Sequence, residues 1–157
     1  MSYSEAFLRE AIRLSQEKME AGEGGPFGAV IVKDDEIVGR GWNRVTSAND
    51  PTAHAEVMAI RAACSALGTF SLAGCEIYAS CEPCPMCLSA IYWARLDALY
   101  FAASREDAAD AGFDDALLYE EVSRDWNSRT LEAEQHLLTE AQEVLNLWVN
   151  KPNRAEY

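Results

Sequence analysis

His54, Glu56, Cys84 and Cys87 are the residues of this chain whose types and spacing can do chemistry together. The run Pro83-Cys84-Pro85-Met86-Cys87 and the tripeptide His54-Ala55-Glu56 supply three soft or borderline zinc ligands and one carboxylate left over. Structural zinc sites fill all four tetrahedral positions with Cys and His, whereas catalytic sites keep one for water, so a three-ligand set points to an open, catalytic site. Pro85 suits the first turn of a helix, where its missing N–H would be unpaired anyway. Cys84 and Cys87 then face the positive end of that helix, which together with a metal favours both as thiolates. His54 must coordinate as neutral imidazole, its second nitrogen held by a partner that the sequence does not identify. Zinc lowers the pKa of bound water from about 15.7 towards roughly 7, but a proton carrier is still needed, and Glu56 is placed to be one. Helical positions two apart point to nearly opposite sides, so the motif works only with His54 at a helix entrance. Asp50-Pro51-Thr52 provides that entrance.

Other readings of these residues stay open. A CxxC pair also occurs in structural zinc knuckles and redox pairs. Cys81-Glu82-Pro83-Cys84 is a second, overlapping pair, although a helix starting near Pro85 leaves Cys81 in the preceding loop. Cys64 and Cys75 read as small apolar core residues, and His136, the other histidine, as a surface residue rather than a fourth ligand. Asn43 follows an apparent strand, where its amide could read a ring edge through both a donor and an acceptor, or simply make a turn. Asp114 and Asp115 precede a short helix, so that one could cap it while the other works in the site. Phe27, Trp93 and Phe113 are aromatic candidates for the walls of a flat pocket, or for core packing.

The elements that must position these residues follow from periodicity. Ser2 and Glu5 form a candidate capping box, and Leu8, Ala11, Ile12 and Met19 repeat at helical spacing up to Gly22. Phe27 to Lys33 is β-rich, turns at Asp34-Asp35 and resumes from Ile37 to Trp42 as a hairpin. After a loop from Asn43 to Pro51, a helix runs from about His54 to Leu67 and stops at Gly68. Cys75 to Ala79 reads as a strand, Pro85 to Arg95 as a helix, and Ala98 to Ala102 as another strand. Short helices are expected at Glu106 to Asp110 and Ala116 to Val122, and a last one at Glu140 to Val149. The stretch around Leu131 to Leu137 fits strand or helix equally. The order predicts one α/β domain over residues 1–157, a three-layer α/β/α sandwich with a mixed central sheet. Ligands in such sheets collect at the carboxyl ends of the strands, where both motif helices begin.

With 13 basic and 26 acidic residues the formal charge is −13, which repels phosphate backbones and argues against nucleic-acid partners. The first residues lack a cationic flank and an apolar core, and no run approaches a bilayer span. A cytoplasmic protein without membrane partners is expected, and five cysteines fit a reducing compartment.

The His-Ala-Glu and Pro-Cys-Pro-Met-Cys pattern is the signature of zinc-dependent nucleobase deaminases. With GGPFGAVIVKD from Gly24, NDPTAHAEVMAIR from Asn49, SCEPCPMCLSAIYWAR from Ser80, DAADAGFDD from Asp107 and the closing Tyr157, the chain closely resembles the cytidine deaminase superfamily. Within it, the chain is similar to the short zinc-dependent bacterial guanine deaminases. The resemblance implies one zinc per subunit on His54, Cys84 and Cys87, with Glu56 and Asp115 catalytic. It implies a free purine base held by Asn43, Ala55, Phe27, Trp93, Phe113, Asp114 and Tyr157. The implied reaction is hydrolysis of guanine to xanthine and ammonia. A homodimer exchanging C-terminal segments, about 127–157, is also implied, with Tyr157 reaching the partner's site. Rival readings are deamination of another free base or nucleoside (cytosine, a triazine, cytidine), of tRNA adenosine, and a non-catalytic zinc-stabilised interaction module.

Overall fold

The computed structural model describes residues 3–157, which divide into two compact units, one ending at Ala116 and the other running from Leu117 to Tyr157. The first unit contains α1 (Glu5–Glu20), β1 (Gly28–Lys33), β2 (Glu36–Trp42), α2 (Val45–Ala48), α3 (Ala55–Leu67), β3 (Glu76–Cys81), α4 (Pro85–Trp93), β4 (Ala98–Ala103) and α5 (Arg105–Asp110). The helix α6 (Ala116–Ser123) leads into the second unit, which continues through a 3-10 turn, Trp126–Ser128, to α7 (Leu138–Val149). The Ser2–Glu5 box lies outside the described residues; the N-cap of α1 is Ser4, whose side chain makes no capping bond.

The sheet order is β2-β1-β3-β4. Asp34 and Asp35 both take positive φ, the conformation of the tight turns whose twist matches two antiparallel strands, and so close the β1–β2 hairpin. β1 also pairs antiparallel with β3, while β3 and β4 are parallel, with α4 as their crossover. Since β2 and β3 both oppose β1, they point the same way. The helices that follow them, α3 and α4, therefore begin at one end of the sheet. The mixed α/β architecture expected from the sequence is the one observed.

One core lies between the sheet and α3 and α4, built on Ala29, Ile31, Ala59, Ala63, Ile77, Ala79 and Ile91. Val30, Val32 and Tyr78 point to the other face and pack with Leu14 of α1. This alternation is the period of two that sends successive strand residues to opposite faces. All six residues of β3 are buried, because both faces are covered.

α3 lies directly on β2 because Gly39 and Gly41 have no side chains in the way. A Cβ at Gly41 would collide with the Ala55 carbonyl and the Ala59 backbone nitrogen, and one at Gly39 would lie 2.7 Å from the Ala59 carbonyl. The N-terminal turn of α3, which carries Glu56, is thereby seated against the strand that ends at Trp42.

Boundaries shift from the sequence reading in instructive places. Val45–Ala48 forms a short helix inside the expected loop, ended by Asn49 in the left-handed region. β3 extends through Ser80 and Cys81, so Cys81 ends a strand rather than sitting in a loop. Residues 131–137 are neither helix nor strand, and α7 begins at Leu138.

Candidate metal centre

His54 is the N-cap of α3 and Cys84 the N-cap of α4, both with extended backbone. Pro85 takes the first helical position and Cys87 follows within the same turn. An N-cap residue projects ahead of the helix, so His54 and Glu56 can serve one point although they stand only two apart. The two helix starts face each other. His54 Nδ1 lies 3.6 Å from Cys84 Sγ and 3.5 Å from Cys87 Sγ. A tetrahedral zinc with Zn–S of about 2.3 Å and Zn–N of about 2.05 Å would place nitrogen and sulfur ~3.6 Å apart. The three donors therefore fit zinc in type and in separation, and they are the only group of its kind among the described residues.

The electrostatics express the same closeness. Hydrogen bonding from the Cys87 thiol, and secondarily from His54, holds Cys84 down to about 4. Its bond to Cys84, its burial and the Glu56 carboxyl push Cys87 up. A divalent ion among the three favours both thiolates and a neutral ring, releasing protons as it binds.

Glu56 is 8 % exposed. Burial raises its carboxyl above the ordinary range, while its interaction with Cys87 acts in the opposite sense. A buried carboxyl with raised proton affinity beside a metal-ligand sulfur has the properties of a proton carrier.

The candidate ring-binding residues are placed as follows. Asn43 is 7 % exposed. Its Oδ1 accepts from the backbone N–H groups of Gly25, at 3.2 Å, and Val45, at 3.1 Å. Gly24 packs so closely on Asn43 that a Cβ there would collide with the Asn43 carbonyl. The acceptor end of this amide thus belongs to the fold, and the Nδ2 donors are the end left for a ligand. Phe27 and Phe113 meet edge to face, with ring centroids 4.9 Å apart. Asp114 Oδ1 accepts from Ala116 N at 2.9 Å, capping the start of α6. The Asp115 carboxyl is raised by partial burial and then by the negative charge of Cys84, with Arg105 acting in the opposite sense. Ala55, buried between His54 and Glu56, opens α3.

Other candidates stand elsewhere. Trp93 ends α4, 66 % exposed beside Ser89 and Tyr92. It lies six residues beyond Cys87, about 9 Å along the helix. Tyr157 is exposed in the second unit. Cys81 donates to the Ser104 carbonyl at 3.6 Å and is outside the donor group. His136 pairs with Glu134. Gly24 and Gly25, which orient Asn43, were not singled out as site residues from the sequence; the paired glycines before Pro26 were the available signal.

Similarity to known proteins identifies the family. Residues 1–103 match the model of the cytidine and deoxycytidylate deaminase zinc-binding region. The chain is 54 % identical over 153 residues to the guanine deaminase of Bacillus subtilis, covering 98 % of each protein. The crystal structure of guanine deaminase from that organism superposes with a TM-score of 0.96 at 52 % identity, covering 99 % of both chains. A tRNA-specific adenosine deaminase of Aquifex aeolicus is 46 % identical over 99 residues, 63 % of this chain and 65 % of that protein. With its His-Cys-Cys donor group at two facing helix starts, the chain belongs to the cytidine and deoxycytidylate deaminase family of zinc-binding proteins.

Proposed function

We propose that the protein is a guanine deaminase, converting guanine and water to xanthine and ammonia. The observation that carries this reading is similarity to guanine deaminase along the full chain, 98 % of each protein at 54 % identity, where tRNA-specific adenosine deaminases match 63 % of it at 46 % identity or 77 % at 38 %. The formal charge of −13 supports a free base over a polyanion.

His54, Cys84 and Cys87 would hold the zinc. Bound there, zinc supplies Lewis acidity that makes a water acidic enough to attack at neutral pH. Glu56 takes a proton from that water and delivers it to ring N3 as the oxygen adds to C2. The same carboxylate then carries the remaining proton from the new C2 hydroxyl to the departing amine, so that ammonia leaves and the C2 oxo group of xanthine remains, with the first proton kept on N3. Burial of Glu56 suits both steps, since it raises the proton affinity of the carboxyl above the ordinary range, so that it takes up a proton more readily than an exposed carboxylate. Asp115, whose carboxyl feels the negative charge of Cys84, is assigned as the second catalytic carboxyl, which guides the amine. Phe27 and Phe113 form one wall for the ring, and Asn43 donates to its oxo-bearing edge. Asp114 contributes by fixing the segment that carries Phe113 and Asp115.

We also propose a homodimer in which the second unit is exchanged. No residue of 117–157 is buried, although the unit carries Leu117, Trp126, Leu131, Val144, Leu147 and Trp148. Apolar surface on that scale marks an interaction surface in a folded protein. Trp93, beside the exposed Tyr92, and Tyr157 are assigned to contacts that pairing completes. No helix among the described residues is long and apolar enough to cross a membrane. The five free thiols support a reducing, cytoplasmic setting.

The test is ammonia release by zinc-loaded protein from guanine, cytosine, adenine, cytidine, guanosine and an adenosine-containing tRNA stem-loop. Turnover mainly of guanine, with xanthine as product, is expected. Glu56→Gln should keep its zinc and lose about 10² to 10⁴ in rate. Turnover of another substrate and not of guanine would overturn the assignment of the ring pocket.

A further inference from the structure

Glu82 lies two residues before Cys84, outside the donor group, and its side chain is not accounted for by the chemistry above. Its Oε2 accepts from the backbone N–H of Arg105 at 2.9 Å. Arg105 is the first residue of α5, and its N–H is among those a helix start leaves without an internal partner. The N-cap Ser104 is already engaged with Asp107, its Oγ accepting from Asp107 N and its own N–H donating to Asp107 Oδ2. Glu82 therefore supplies the cap that the local capping box cannot. Two further bonds join the same segments: Glu82 N donates to the Ala103 carbonyl at 2.8 Å, and Cys81 Sγ donates to the Ser104 carbonyl.

What hangs from that junction is the far wall of the site. α5 closes with Phe113 N donating to the Ala108 carbonyl at 2.8 Å, which directs the Phe113 ring to Phe27. Asp115 follows two residues later, within electrostatic reach of both Arg105 and Cys84. The loop that presents Cys84 and the segment that presents Phe113 and Asp115 come from different strands, β3 and β4, and the Glu82 side chain ties one to the other.

We propose that Glu82 is a positioning residue, which fixes Phe113 and Asp115 relative to the metal ligands by holding the N-terminus of α5. It acts through Arg105 N and touches neither substrate nor metal. The inference rests on the guanine deaminase reading only for the kinetic part of its test.

The experiment compares Glu82→Ala and Glu82→Gln with the parent, each zinc-loaded. Gln keeps an oxygen that can accept from Arg105 N, so it should stay within about threefold of the parent. Ala should lose roughly tenfold to a hundredfold in kcat/KM, the range for losing a hydrogen bond to a charged group, divided between a lower kcat through Asp115 and a raised KM through Phe113, with zinc content unchanged. Placed in an Asp115→Asn background, Glu82→Ala should lower kcat by less than about twofold more, because the kcat part of its effect passes through Asp115, while the KM part that passes through Phe113 remains. Hydrogen exchange gives a readout independent of any substrate: amides of 105–113 should exchange faster in Glu82→Ala, and those of 85–93 should not. Unchanged exchange at 105–113, equal damage from Gln and Ala, or full additivity in kcat with Asp115→Asn would each overturn the proposal. Parent protein that fails on guanine while the exchange result holds would count against the substrate reading alone.

Discussion

Asn43, proposed above as a ring-binding residue, has its side-chain oxygen committed to the fold. Both lone pairs of Oδ1 are engaged by Gly25 N–H and Val45 N–H, so Nδ2 supplies the hydrogen bonds that this amide would offer a ring. Guanine presents two acceptors on its outer edge, O6 and N7, whereas a 6-amino purine presents a donor and an acceptor there. A donor-only amide therefore suits guanine. Asn43→Asp should preserve both backbone bonds, since a carboxylate oxygen accepts them equally well, while replacing the Nδ2 donor by an acceptor. The ratio of kcat/KM for guanine over 2,6-diaminopurine is then expected to fall by on the order of 10² or more, because a site built to hydrogen-bond one group rejects its inverse strongly. An unchanged ratio would remove Asn43 from ring recognition. The zinc ligands were legible from the sequence because their types and spacing are themselves the chemistry. The division of labour in Asn43 was not, because it depends on N–H groups that the chain brings from residue 25, on the far side of β1 and β2.

At the scale of elements, the site exists because α3 and α4 start at the same end of the sheet. Hydrophobic periodicity and turn residues marked these helices and the strands before them, and the Asp34-Asp35 turn fixed the hairpin. Which strands become neighbours was less legible: placing β1 between β2 and β3 adds a second antiparallel pair, set by long-range packing. The seat of α3 depends on Gly39 and Gly41, which in the sequence look like interruptions of a strand. Gly41→Val would drive a branched side chain into the Ala55 carbonyl and the Ala59 nitrogen, both backbone atoms that cannot rotate away. Overpacking of this kind typically costs about 1–3 kcal/mol, which for a chain of this size lowers Tm by roughly 2–12 °C. Because α3 carries His54 at its cap, zinc affinity should fall as well, measured by competition with a chromogenic chelator. A variant with unchanged Tm and zinc affinity would show that α3 is not held by this contact.

At the scale of the molecule, an acidic catalytic unit is joined to a segment that buries nothing of its own. The sequence indicated helices in that segment but not their packing, since an amphipathic helix reads alike whether its partner is its own chain or another. Symmetric exchange between two copies would cover the apolar surface of both segments at once, and would bring Tyr157 of one chain to the partner's base pocket. Light scattering should therefore give twice the 17.3 kDa chain mass. A sharper consequence concerns two inactive forms, one carrying Glu56→Gln and one lacking Ala155 to Tyr157. Each homodimer lacks one component at both sites. In a mixed dimer, the truncated chain keeps Glu56 and receives its tail from the Glu56→Gln chain, so one site of the two is complete. Co-expression in equal amounts should restore about a quarter of the parental rate, since half of randomly assorted dimers are mixed and each has one working site. If the tail served its own chain, no site in the mixed dimer would hold both components. Activity would then stay at the level of the two variants measured separately.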